Sequence, residues 1–96
     1  MTIYNSTITL NVATEEGGGI YSVGDTMIRS TTIYNNRANA TGHKGGGIMN
    51  EGGNLNFGNS IISGNTGPEI TFSNGNFISV GNNLVGDMPG DAKYGC

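Results

Sequence analysis

Apolar residues in this chain come in short groups, each bounded by Gly, Asn, Asp, Ser or Thr. Leu55 and Phe57 alternate with Asn54 and Asn56, a period of two that turns one pair inward and the other outward. No segment keeps the i, i+3, i+4 apolar spacing of a helix over enough length. Gly and Asn, both poor helix residues, make up a third of the chain. The groups rich in Ile, Tyr, Thr, Phe and Val predict short strands at Gly19–Ser22, Thr26–Ser30 and Thr32–Tyr34. The same reading gives Ile48–Asn50, Asn54–Phe57 and Ile61–Ser63, then Ile70–Ser73, Phe77–Val80 and Asn83–Val85.

These strands repeat as a set. Gly17-Gly-Gly-Ile-Tyr21 recurs as Gly45-Gly-Gly-Ile-Met49, an offset of 28. Thr31-Thr-Ile-Tyr-Asn-Asn36 matches Ser60-Ile-Ile-Ser-Gly-Asn65 at an offset of 29, and Ser6-Thr-Ile-Thr-Leu-Asn11 at 25. Ile8, Ile33 and Ile62 therefore correspond, as do Asn11, Asn36 and Asn65. A period of 20 to 50 residues marks a solenoid, propeller or array. Three short strands per repeat of this length fit one turn of a parallel β-helix, with coils about 4.8 Å apart. The expected class is all-β: a right-handed, single-stranded parallel β-helix of about 3–4 coils, read as part of a longer array. Its coils fall approximately at 1–16, 17–44, 45–69 and 70–96, within one partial domain. The isoleucines form an inward ladder, and Asn11, Asn36 and Asn65 are placed in a stacked amide ladder at a turn. Gly17, Gly18, Gly19, Gly45, Gly46 and Gly47 fit corners where a side chain would clash with the next coil. A propeller needs longer repeats of four strands, and an antiparallel sandwich does not explain the register of the motifs. The glycine triplets lack the spacing of a phosphate-binding loop, and no helix follows them.

Composition narrows the function. A net charge of −3 with four Lys/Arg provides no basic stripe for nucleic acid. No stretch of about 18 apolar residues is present to cross a membrane as a helix. The opening Met1-Thr-Ile-Tyr-Asn5 does not read as a signal peptide. Cys96 is the one cysteine, so neither an internal disulfide nor a cysteine zinc site is expected. At 11%, charged residues fall below half the usual share of about 25%.

The Gly-Gly-Gly-Ile-Tyr motif followed by Ile-Tyr-Asn-Asn or Ile-Ser-Gly-Asn resembles the right-handed β-helix repeats of bacterial secreted and surface proteins, of pectin-lyase-like fold. Asn59-Ser-Ile-Ile-Ser-Gly-Asn-Thr-Gly-Pro-Glu69 and Ser79-Val-Gly-Asn-Asn-Leu-Val-Gly-Asp87 are similar to the last coils of such arrays. The repeats are also distantly like those of chlamydial polymorphic outer-membrane proteins, with Ile33 where that family has Phe. The resemblance covers roughly residues 5 to 87. It implies an extracellular or cell-surface, adhesin-like or structural passenger, without catalysis of its own. Such a module presents a polar surface to a glycan or cell-surface protein, and its open ends meet further coils or another copy.

Chemistry has several candidates. Tyr21 and Tyr34, with Asn35 and Asn36, are candidates for an exposed sugar-stacking face; packing is the plainer role for the tyrosines. Asp25 and Glu51 fall at similar places in consecutive repeats and are compatible with a stacked carboxylate pair, or with two idle turn residues. Such a pair belongs to the alternative reading, a fragment of a polysaccharide lyase or hydrolase of the same fold. Glu15 and Glu16 read as loop residues. His43 and Lys44 sit in a Gly-rich loop with no nucleophile motif beside them. Arg29 and Arg37 read as surface residues. No cofactor is expected; Asp87 and Asp91 are the weak candidates for calcium, in a stretch that otherwise reads as a Pro-Gly turn. Asn5-Ser-Thr7 and Asn39-Ala-Thr41 match glycosylation acceptors but read as ordinary strand and loop residues. A further alternative is an orphan fragment with no selected activity.

Overall fold

A computed structural model of the chain describes residues 1–39, 45–66 and 68–86. The fold is all-β, with no helix among the described residues and parallel strands stacked as a solenoid of about three turns. The first coil holds β1 (Thr2–Tyr4), β2 (Thr7–Thr9) and β3 (Val12–Ala13). The second holds β4 (Ile20–Val23), β5 (Thr26–Arg29), β6 (Thr32–Tyr34) and β7 (Arg37–Ala38). The third holds β8 (Ile48–Gly58) and β9 (Ile61–Ser63), and β10 (Ile70–Ser79) and β11 (Leu84–Val85) carry the fourth. Every pairing is parallel and joins one coil to the next, in sheets ordered β1-β5-β8-β10, β2-β6-β9-β11 and β3-β7, with β4 also on β8.

In each of the first three coils two of the corners use left-handed backbone at corresponding positions. Asn5, Ser30 and Asn59 follow corresponding strands with φ of 49°, 53° and 51°. Leu10, Asn35 and Gly64 do the same at the next corner, with φ of 60°, 56° and 69°. Asn and Gly tolerate this region because a short polar side chain or a missing Cβ relieves the clash with the carbonyl. The core is a set of inward ladders. Ile8, Ile33, Ile62 and Val85 lie in register, as do Ile20, Ile48 and Ile70. Leu55 and Phe57 are fully buried, and Phe57 meets Phe77 edge to face at 4.8 Å.

The strand boundaries differ from the sequence reading in one informative place. Ile48–Asn50 and Asn54–Phe57 fuse into β8, and Ile70–Ser73 fuses with the expected Phe77–Val80 strand, which ends at Ser79, into β10. Ser73 pairs with Glu51 and Gly75 with Gly53, so the register is the same on both sides of Gly52. In the second coil β4 and β5 stay separate. Val23 pairs with Glu51 but Thr26 pairs with Leu55, so Gly24-Asp25 face three residues, Gly52-Gly53-Asn54. This is a bulge. It is the physical cause of the step from an offset of 28 to one of 29.

Candidate functional site

The left-handed corner at Leu10, Asn35 and Gly64 fixes what the next residue does. Asn11, Asn36 and Asn65 follow it, and their amides form a chain of hydrogen bonds along the axis. The backbone N–H and Nδ2 of Asn11 both donate to Asn36 Oδ1, each at 3.0 Å. Asn36 repeats the pattern onto Asn65 Oδ1, at 2.8 Å and 3.0 Å. Asn65 repeats it onto Glu69 Oε2, at 3.2 Å and 2.6 Å. Asn36 Nδ2 also reaches the carbonyl of Ile8, and Asn65 Nδ2 that of Ile33. Glu69 is 3% exposed, so its carboxylate is taken out of water and held by donors instead. Sequence reasoning missed this end of the ladder. The only signal for it is an acid four residues beyond the last asparagine.

The glycine triplets stack against the ladder. A Cβ at Gly18 would strike the Gly46 carbonyl, and one at Gly46 the Thr66 carbonyl. A Cβ at Gly47 would lie 2.9 Å from Asn65 Nδ2 and one at Gly19 3.0 Å from Asn36 Nδ2. The triplets therefore admit the coil-to-coil approach that the amide chain needs.

The four-residue sugar face is not assembled. Asn36 is fully buried inside the ladder. Tyr21 lies on β4 and Tyr34 on β6, strands of different sheets, at 48% and 40% exposure. Asn35 is exposed at its corner. The Tyr21 hydroxyl donates to Glu51 Oε2. That bond, with desolvation and the negative charges of Glu51, Glu16 and Glu15, holds the phenol above the ordinary tyrosine range.

Asp25 and Glu51 do not stack as a pair. Glu51 stands opposite Val23, while Asp25 Oδ1 accepts the Asn54 N–H across the bulge at 2.8 Å. Arg29 donates to Asn56 Oδ1 at 2.7 Å and to two carbonyls. Arg37 is exposed on β7. His43, Lys44, Asp87, Asp91 and Cys96 lie outside the described residues.

A groove that the sequence did not announce crosses the outer face of the β1-β5-β8-β10 sheet. It has a volume of about 310 Å³ and is lined by Thr2, Asp25, Met27, Asn54, Asn56 and Ile78, among others. Its amides continue onto the fourth coil, where Asn76 Nδ2 donates to Asn54 Oδ1 at 3.1 Å. A second hollow of about 440 Å³ lies beside Tyr21, Glu15 and Glu16. No helix among the described residues is long and apolar enough to cross a membrane. No family model matches the chain, and no curated protein or solved structure matches it significantly.

Proposed function

We propose that this chain is a non-catalytic β-solenoid module that presents the outer face of its largest sheet to a glycan or a cell-surface protein. The groove across successive coils is the observation that carries this reading. It sets amides of Asn54 and Asn56 and the Thr2 hydroxyl beside the apolar surfaces of Met27 and Ile78. Amides and hydroxyls flanking apolar patches suit a sugar ring, which offers hydroxyls at its edge and C–H groups on its faces. The charged side chains support the same reading, because many serve the coils. Glu69 ends the amide ladder, Asp25 bonds the bulge and Arg29 holds Asn56. In this reading the chain is kin to bacterial secreted and surface repeats of pectin-lyase-like fold, adhesin-like and extracellular.

A second reading has one observation in its favour. Glu15, Glu16 and Glu51 all act on the Tyr21 phenol beside the 440 Å³ hollow, and glycoside hydrolysis uses paired carboxylates. In that case the chain belongs to a polysaccharide-degrading enzyme.

A glycan array probed with the full chain separates the two. Binding is expected, and Asn54→Ala with Asn56→Ala should weaken it at least tenfold while leaving the strand-type circular dichroism intact. Equal binding by the folded double variant, or no binding to any glycan or cell-surface extract, overturns the groove reading. Cleavage of a polysaccharide that is lost in Glu15→Gln or Glu16→Gln establishes the second.

A further inference from the structure

The outer groove presents donors and acceptors in a fixed pattern, and Arg29 sets the first part of it. A guanidinium carries donors alone, so the atom of the Asn56 amide that it meets at 2.7 Å is Oδ1. Arg29 also donates to the carbonyls of Ile28 and Asn56, which anchors it beside that amide. Asn56 Nδ2 is thereby left for the groove, and no acceptor among the described residues meets it. Asn54 follows suit: its Oδ1 accepts from Asn76, and its Nδ2 has no acceptor among the described residues. Asp25 supplies the opposite polarity. Its Oδ1 takes the Asn54 N–H at 2.8 Å, which holds the carboxylate beside β8, and among the described residues nothing donates to Oδ2. The Met1 ammonium, which also borders the groove, donates to the Asp25 main-chain carbonyl. Met27 and Ile78 stand on either side of Asn56 in register, one on each neighbouring coil.

We infer that the groove recognises an acetamido sugar, a neutral hexose bearing an N-acetyl group. The inference rests on the groove reading above and names the class of sugar. An acetamido group offers a carbonyl acceptor, an N–H donor on the opposite edge and a methyl group, and the groove has a partner for each. Asn56 Nδ2 donates to the carbonyl, Asp25 Oδ2 accepts from the N–H, and the methyl group packs on Met27 or Ile78. The spacing agrees. Hydrogen bonds of about 2.9 Å on opposite edges of an amide set its partners about 7–8 Å apart. Asn56 is two residues of strand, about 7 Å, from the Asn54 N–H that holds Asp25. Asn54 Nδ2 remains for a ring hydroxyl. A plain hydroxyl in place of the acetamido group leaves the apolar surface uncovered and cannot span both partners. A sugar acid fits worse, because the one side-chain charge lining the groove is the negative Asp25. The volume of about 310 Å³ lies at the lower end for small-ligand sites. Arg29 is a positioning residue in this scheme: it acts on the sugar through Asn56.

Calorimetric titration of the full chain with equal-length oligomers of N-acetylglucosamine, of glucose and of glucuronic acid tests it. The N-acetylglucosamine oligomer is expected to bind at least about tenfold more tightly than either of the others. Asp25→Asn keeps an acceptor for the Asn54 N–H but puts a donor in place of Oδ2, so the preference should fall to about threefold or less. Arg29→Met keeps the apolar stem beside Gly58 and frees the Asn56 amide to turn, so it too should narrow the preference. A purely structural defect weakens all three sugars together and leaves their ratio alone, so an unchanged ratio in the folded variants overturns the proposal. Equal binding of the N-acetylglucosamine and glucose oligomers overturns it while the groove reading stands. Tighter binding of the glucuronic acid oligomer does the same. Binding of none of the three overturns it together with the sugar-binding role of the groove. The comparison of the three sugars needs no variant and holds even if one fails to fold.

Discussion

Single residues carry the strain and the titration of this molecule. Leu10 occupies the corner position that Asn35 and Gly64 fill in later coils, at φ of 60° and 76% exposed. A branched apolar side chain gains little from burial there and meets the left-handed steric penalty of about 1–2 kcal/mol. Leu10→Asn is therefore expected to stabilise the fold by about 1 kcal/mol, seen as a higher midpoint in urea at unchanged slope. An unchanged or lower midpoint would show that the corner is not strained. Tyr21 sets an alkaline limit. Its phenol is held above the ordinary tyrosine value chiefly by donating to Glu51. A group whose folded pKa is raised stabilises fully below its unfolded pKa and loses that contribution as pH rises through the folded one. The loss thus begins above about pH 10, when a tyrosinate would face the Glu51 carboxylate. Carbon-13 NMR of the Tyr21 ring should show ionisation later than in a free tyrosine, and Glu51→Gln should move it back. A titration indifferent to Glu51→Gln would remove this hydrogen bond as the cause.

Elements show where the sequence was legible and where it was not. Alternation in Asn54–Phe57 and the recurrence of Ile8, Ile33 and Ile62 are local, so strands and coil register could be read from letters alone. The first coil's β1 and the two-residue strands β3 and β7 could not, because they lie outside the recurring Gly-Gly-Gly-Ile and Ile/Asn motifs that mark the other strands. The bulge is a relation between two coils, visible in the sequence as nothing more than an offset that changes by one. Asn36 fits both the exposed tyrosine face and the stacked amide ladder when read from the letters; the left-handed turn at Asn35 directs it inward, into the ladder. Glu69 and the outer groove depend on which strands become neighbours. The glycines separate two kinds of constraint at this scale. Gly46→Ala puts a methyl group onto the backbone of Thr66, which cannot swing aside, and a cost of roughly 3 kcal/mol or more is expected. Gly52 has open space around its would-be Cβ and a φ of 70°, so Gly52→Ala should cost only the left-handed strain of about 1–2 kcal/mol. Denaturant unfolding of the two variants checks the order, and equal losses would mean that the inter-coil approach at the triplet is looser than its contacts imply.

The whole molecule behaves as a stack in which each coil is supported by its neighbours, so stability lies in the coil interfaces more than in any single turn. Most residues of the buried core cluster lie in the second and third coils, which have a partner on both sides. The amide ladder gives this stack an electrical sense. Each accepting Asn carbonyl points toward the first coil, and the donating N–H groups point toward the fourth. Dipoles set in line add, as peptide dipoles do along a helix. The negative pole lies at Asn11 and the positive pole at Asn65, where the Glu69 carboxylate rests against it much as an acidic side chain rests at a helix N-terminus. A solenoid of this design therefore has an anode and a cathode. Because such a field is set by the last partial charges in the line, its grip is local: it holds the terminal acid at one end and makes the Asn11 end receptive to cations.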